Sequence, residues 1–330
     1  MTRCSVAALA RSDPRAGTAP PTRHWLLLEH PGPWPVDAVA GSGIEADVLA
    51  LLTGAAAATR TRILLVRRPG RQPRAETRRW MLLTPGQPTA SGSWHIDNDL
   101  LAAHLALLRA QPGAGLGEAA GNDRGGEDPP QHGPLDDAGR SDAEPHQSGS
   151  AEADAVILVC AHGVHDTCCA LQGRPVAAAL AERWPEQVWE CSHVGGDRFA
   201  PNVLVLPDGF YYGGLDPDGA VTTVEQHLRG RVQTDHLRGM ARFLPAQQAA
   251  AVAAFDRYGP LPPDAVVVIR SQHEGRYGSP DSRTHVELEV RGVPHRVHAE
   301  ILALPRPPAQ LTCRALRETT ATEYRVQHLG

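Results

Sequence analysis

Lysine is missing altogether: all 32 basic residues of this 330-residue chain are arginine. Schiff-base chemistry, pyridoxal-phosphate chemistry and the lysine-bearing phosphate loop need a primary amine, which only the N-terminus supplies here. Long apolar runs are missing too. Nothing approaches the roughly 18 consecutive apolar residues of a membrane helix, and the run Ala55–Ala58 is broken by Arg60 and Arg62. The opening residues hold only the short apolar run Val6–Ala10 before Arg11, too little for the core of a secretion signal. A soluble, cytoplasmic protein is expected. Six cysteines are present but no CxxC pair, which removes the usual signature of a zinc knuckle and of a dithiol oxidoreductase.

What remains is an ordinary globular composition. Hydrophobic residues make up 42%, charged residues 21%, and the net charge is −5, so neither a disordered chain nor a basic nucleic-acid platform is indicated. Neither nucleic acid nor a membrane is expected as a partner. The length suggests two or three domains. Between 111 and 150 the only large aliphatic residues are Leu116 and Leu135, too few to offset the entropy of ordering the segment. The chain therefore divides into an N-terminal α/β domain (1–110), a disordered acidic Gly/Pro linker (111–153), a second α/β domain (154–260) and a β-rich C-terminal segment (261–330).

The second domain has a readable order. Ala155–Val159 is a short apolar strand ending at Cys160. A helix follows with Pro175 suited to its first turn, and Pro185 stops it. Val188–Cys191 returns as a strand. Val203–Leu206 and Phe210–Tyr212 form a hairpin around Pro207-Asp208-Gly209, and Ala220–Arg229 closes as a helix. The order β-α-β, hairpin, α is the connectivity of a thioredoxin-like sheet. The first domain shows a similar order: strand His24–Glu29, helix Glu45–Leu52, strands Ile63–Val66, Trp80–Leu83 and Ser93–Ile96, helix Leu100–Arg109. It reads either as a degenerate thioredoxin-like copy or as alternating elements that merely look alike. Beyond Leu261, Val266–Arg270, Thr284–Val290 and His295–Ile301 read as strands.

Four of the six cysteines fall between 160 and 191, and such clustering argues for a metal or redox site rather than disulfides. Two segments carry the ligands: Cys160-Ala-His162-Gly-Val-His165-Asp166-Thr-Cys168-Cys169 and Cys191-Ser-His193-Val-Gly195-Gly196-Asp197. In the sheet order above, both leave strands at the same end of the fold. Thiolate and imidazole suit zinc, copper(I) or an iron–sulfur centre. The eight residues separating Cys160 from Cys169 exceed the two to four of a zinc knuckle and leave room for a larger object.

The strings CAHGVHDTCC and WECSHVGGDRFAPNVLVLPDG, with Cys4-Ser5, Gly17-Thr18-Ala19 and WLLLEHPGPW, resemble the sucrase/ferredoxin-like family. The resemblance implies a thioredoxin-like ferredoxin domain holding a [2Fe–2S] cluster, with two cysteines separated by eight residues and two histidines within HxGGH as ligands. Cys160, Cys169 and His193 match three of those positions. The fourth is Asp197 here, and three residues are candidates to replace the missing histidine: Cys191, Cys168 and Asp197 itself. Cys191 is favoured, because thiolate holds ferric iron more readily than carboxylate does. The expected ligands are thus Cys160, Cys169, Cys191 and His193.

The function expected is electron transfer with separate reductase and acceptor proteins, since no flavin or nicotinamide motif is visible. A structural zinc module on the same residues and a thiol-redox protein using Cys168 or Cys169 are the alternatives. Sugar hydrolysis has no support, because a glycosidase needs two carboxylates about 5 to 10 Å apart and no such pair can be picked from the sequence. Asp166 and His165 either tune the site or serve as a helix cap and a solvated loop residue. Cys313 is expected to pack as a small core residue, while Cys4 is left open. Arg198 either sits beside the cluster or pairs with a surface carboxylate. The run Arg67, Arg68, Arg71, Arg74, Arg78, Arg79 reads as a solvated face or a docking site for an acidic redox partner.

Overall fold

The structure is a computed structural model describing residues 2–70, 76–110, 154–275 and 282–330. The linker expected at 111–153 and residues Arg71 and Arg74 of the arginine run lie outside the described residues. Among those described, the architecture is mixed α/β: one nine-stranded mixed sheet flanked by helices, and a separate four-stranded antiparallel sheet.

The first half begins with α1 (Cys4–Ala10) and continues as β1 (His24–Glu29), α2 (Ala46–Ala58), β2 (Thr61–Arg67), β3 (Arg78–Leu83), β4 (Ala90–Trp94) and α3 (Leu101–Arg109). The second runs β5 (Val156–Cys160), α4 (Thr167–Arg183), β6 (Val188–Cys191), β7 (Asn202–Leu206), β8 (Phe210–Gly213) and α5 (Pro217–Leu228). Both follow β-α-β-β-β-α. Pairing repeats with it. In each half the first two strands are parallel, the third lies antiparallel to the first, and the fourth antiparallel to the third. The halves join edge to edge. β2 pairs antiparallel with β6, Val66 opposite Cys191 and Arg67 opposite Glu190, so they overlap only at the carboxyl ends of those strands. Arg67 and Glu190 seal the seam with a 2.7 Å ion pair. The full order is β4-β3-β1-β2-β6-β5-β7-β8-β9, where β9 (Leu237–Met240) extends the second half.

The alternation of strand side chains sorts the interior. Ile157, Val159, Val203 and Val205 face α4, α5 and α6 (Pro245–Tyr258), whereas Leu158, Cys160, Leu204 and Leu206 face the opposite side with Trp25 and Leu27. The four-stranded sheet comprises β10 (Val266–Glu274), β11 (Arg283–Val290), β12 (Val297–Pro305) and β13 (Thr322–Leu329). Its buried Val286, Leu288, Val290 and Ile301 share the α4–α6 core, each contributing about 1.5–3 kcal/mol.

Three readings change. α4 begins at Thr167 rather than near Pro175, which lies inside it. The helix starts early because Asp166 caps it, its Oδ1 accepting from the Cys168 amide at 2.8 Å, and because Gly173 lets the helix approach β5 where a Cβ would strike the Cys160 carbonyl. α1, β9, α6 and β13 were not among the expected elements. The arginine run is not simply solvated: Arg67 lies over Trp34, Arg68 over Trp189 and Arg78 over Trp94, at 4.5, 3.7 and 3.2 Å from the ring centroids.

Candidate metal centre

Parallel pairing of β5 and β6 puts Cys160 beside Cys191 and sends the two following loops out at one end. The crevice beyond the carboxyl ends of parallel strands is the usual ligand position of an open α/β sheet. Cys160 and Cys169 interact thiol to thiol. Cys160 is drawn below its ordinary value by the bond from Cys169, which is itself pushed well up by holding that proton and by burial. Cys169 Sγ also lies 3.4 Å from Asp197 Oδ1, and Asp197 Oδ1 lies 3.0 Å from His193 Nδ1. Asp197 Oδ2 is 3.6 Å from His165 Nε2. His165, His193 and Asp197 form a compact group with donor atoms within 4.8 Å of one another.

The local chain explains why these atoms meet. Gly196 takes a left-handed φ of 78°, and a Cβ there would run into the Arg238 guanidinium. Fully buried Arg238 holds the glycine turn by donating to the Gly195 carbonyl (2.9 Å), Asn202 Oδ1 (2.7 Å) and Thr18 of the first half. Burial lowers its pKa to about 10, which leaves it charged. The β1–α2 loop reaches in from the first half as well: the Pro35 carbonyl accepts from His162 Nε2 (2.8 Å), and the Val36 carbonyl faces His165 Nδ1 at 3.2 Å. His162 Nδ1 accepts from the His193 amide at 3.3 Å. Both nitrogens of His162 are therefore engaged, and burial lowers its pKa. His165 is different: its Nδ1 is turned on a carbonyl and its Nε2 on the site. A ring held this way is the usual arrangement of a metal-directed histidine.

Charge follows from these contacts. Burial pushes the Asp197 carboxyl up, but the two imidazoles outweigh it and hold the group well below the ordinary carboxylate range. The Asp197 carboxylate in turn raises His165. His193 Nδ1 and Asp197 Oδ2 are buried without a hydrogen bond of good geometry, as donor atoms awaiting another partner would be. Asp197 is 1% exposed, whereas the His165 and His193 rings are 27% and 30% exposed. They border a recess of about 670 Å³ shared with Arg62 and Ser192.

The sequence-derived candidates separate into groups. Cys160, Cys169, His193 and Asp197 come together. Cys191 is wholly buried on β6 beside Cys160, its thiol pushed well up by burial, and like Cys160 and Cys169 it belongs to neither compact donor group found among the described residues. Cys168 points elsewhere, toward Cys4 and Cys313. Asp166 is the helix cap. Arg198 pairs with Asp13 at 3.6 Å and lies over Phe199. His165, which the sequence left as either a tuning or a solvated loop residue, lies in the compact group with His193 and Asp197; its signal was its place between two cysteines in a loop leaving a strand. Among the described residues no helix is long and apolar enough to cross a membrane.

The profile of the sucrase/ferredoxin-like family matches residues 15–239, from before β1 to β9. No curated protein matches, and no solved structure matches. The matched span takes in both β-α-β-β-β-α halves and every residue of the Cys160–Asp197 site, and on that ground the chain belongs to the sucrase/ferredoxin-like family.

Proposed function

We propose that the chain is a one-electron carrier whose [2Fe–2S] cluster is held by Cys160, Cys169, His193 and Asp197, in the second of two thioredoxin-like halves. The observation that carries this reading is the approach of a thiol pair, Cys160 and Cys169, to a mixed pair, His193 and Asp197, through the 3.4 Å contact of Cys169 with Asp197. The donor set fits the group. Thiolate and imidazole are the ligands such clusters take, and His193 Nδ1 and Asp197 Oδ2 are buried without a hydrogen bond of good geometry. Asp197 is preferred to the sequence-favoured Cys191 because its carboxylate touches both other kinds of donor, the Cys169 thiol and the His193 imidazole.

When bound, the cluster supplies a site that accepts and releases one electron. The chain's own residues do the rest. Arg62 donates to the His193 carbonyl at 2.9 Å and His162 accepts from its amide, so the ligand's backbone is held from two sides. His165 presents its Nε2 to Asp197 and offsets the carboxylate's charge. Leu158, Leu204 and Trp25 keep water from the thiol side, and the partly exposed imidazole edges leave the recess as the approach for a reductase or acceptor protein.

The test is electron paramagnetic resonance of the anaerobically purified, dithionite-reduced chain. A reduced [2Fe–2S] signal is expected, lost or displaced in Asp197→Ala and retained in Cys191→Ala. The opposite pattern would return the fourth position to Cys191. A colourless chain with zinc at this site would end the electron-carrier reading in favour of a structural module.

A further inference from the structure

We infer that the chain carries a second, separate metal site, a structural zinc site formed by Cys4, Asp166, Cys168 and Cys313. The four residues come from three places far apart in sequence: Cys4 opens α1, Asp166 and Cys168 start α4, and Cys313 lies between β12 and β13. Their donor atoms nevertheless lie within 4.8 Å of one another. Neither Cys4 nor Cys313 is within the span that the family profile matches.

The distances are those of a tetrahedron around one ion. Zinc–sulfur bonds of about 2.3 Å give sulfur–sulfur edges of about 3.8 Å, and a carboxylate oxygen at about 2.0 Å gives a sulfur–oxygen edge of about 3.5 Å. The three sulfur–sulfur separations are 3.7 Å (Cys4–Cys168), 3.5 Å (Cys4–Cys313) and 3.3 Å (Cys168–Cys313). Cys4 Sγ lies 3.6 Å from Asp166 Oδ2. No pair approaches the roughly 2.05 Å of a disulfide, and all three cysteines are free. As thiols, three sulfurs in mutual contact gain little from one another, because the thiol is a weak donor and a weak acceptor. A dication at the centre satisfies all of them at once.

The surroundings suit a thiolate-rich site. The Cys4 amide donates to Cys313 Sγ at 3.4 Å, and the Ser5 hydroxyl to Cys168 Sγ at 3.2 Å. The Cys168 amide holds Asp166 Oδ1 at 2.8 Å and the Cys313 amide holds Oδ2 at 2.5 Å, which fixes the carboxylate as outer partners commonly fix metal ligands. The positive end of α4, at which Asp166 and Cys168 stand, favours the negative charge of thiolates and a carboxylate gathered there. Cys4, Asp166 and Cys168 are wholly buried. A closed four-donor set of this kind is structural rather than catalytic. Its effect is to staple α1 and the β12–β13 connection onto the helix that presents Cys169 to the neighbouring site.

This site is independent of the cluster reading, because iron reports one and zinc the other. Full-length protein grown with both metals and purified without chelator is expected to hold about one zinc per chain. Cys313→Ser and Cys4→Ser are each expected to lower zinc about tenfold or more, with iron and sulfide unchanged. Cobalt taken up in place of zinc is expected to show thiolate charge-transfer and tetrahedral ligand-field bands, absent in Cys313→Ser and present in Cys191→Ser, so the readout does not depend on a variant's folding alone. Three results would overturn the inference: wild-type chain with neither zinc nor cobalt uptake, zinc retained in Cys313→Ser but lost in Cys160→Ser, or a disulfide among the three thiols in freshly isolated protein.

Discussion

The two halves of the nine-stranded sheet share their connectivity and strand pairing but differ in what their loops offer. At the end of β5 stands Cys160, followed by two histidines and two more cysteines. At the end of β1 stands Glu29, followed by His30-Pro31-Gly32-Pro33. In that loop His30 is spent on structure, with Nε2 facing the Ser42 carbonyl and Nδ1 accepting from the Gly32 amide. The first half supplies no thiol to the site. It supplies backbone carbonyls at Pro35 and Val36, the Arg62 guanidinium, and the Thr18 contacts of Arg238. The same scaffold thus serves once as the holder of a site and once as its support, and the difference lies in a few loop residues, as expected when function is grafted onto a fold.

The largest effect should come from the half that holds the site. Cys169→Ser removes the thiol that touches both Cys160 and Asp197, and iron and sulfide are expected to fall to background while circular dichroism stays native. The same loss of iron from a folded Trp94→Ala chain, with its lesion in the core of the first half, would erase the distinction between the halves. Next in size is the link between them. Arg238→Ala leaves the Gly195 and Thr18 carbonyls and the Asn202 side chain without their donor, a cost of about 3–5 kcal/mol, read as a lower urea midpoint. Retained stability would mean that the glycine turn stands without its support from Thr18.

The smallest effect is a pH dependence of the metal-free chain. Asp197 is depressed by its imidazole partners, so its contribution is full above the ordinary carboxylate value and fades as pH falls below it toward the folded value. His165 is raised by Asp197, so its contribution is full below the ordinary imidazole value and fades as pH climbs through the raised one. The pair therefore stabilises most between about pH 4 and pH 6.5. His165→Gln is expected to flatten the alkaline side of that profile in denaturation measured across pH, and an unchanged profile would show that His165 does not sense Asp197.

Much of this arrangement was legible in the residues. The two loops that converge, the hairpin around Asp208-Gly209 and the repeated element order are local patterns of apolar period and turn chemistry, which sequence carries directly. The start of α4 was legible too but masked by Pro175, whose preference for a first turn pointed eight residues too late; Asp166 was the cap that decided it. The preference for Cys191 over Asp197 rested on soft-donor chemistry, which says nothing of where a side chain lies, and the contacts of Asp197 with Cys169 and His193 that favour it in the proposal join different loops and elements. The meeting of Cys4 with Cys313 left no trace in sequence, because contacts between residues 309 positions apart obey no local periodicity.

The most direct test of the central claim is the iron and acid-labile sulfide content of anaerobically purified wild-type chain, read with its visible absorption. The account predicts a coloured protein with about two irons and two sulfides per chain, both lost in Cys160→Ser. A colourless chain without sulfide, whose metal at Cys160 is a single zinc, would contradict it.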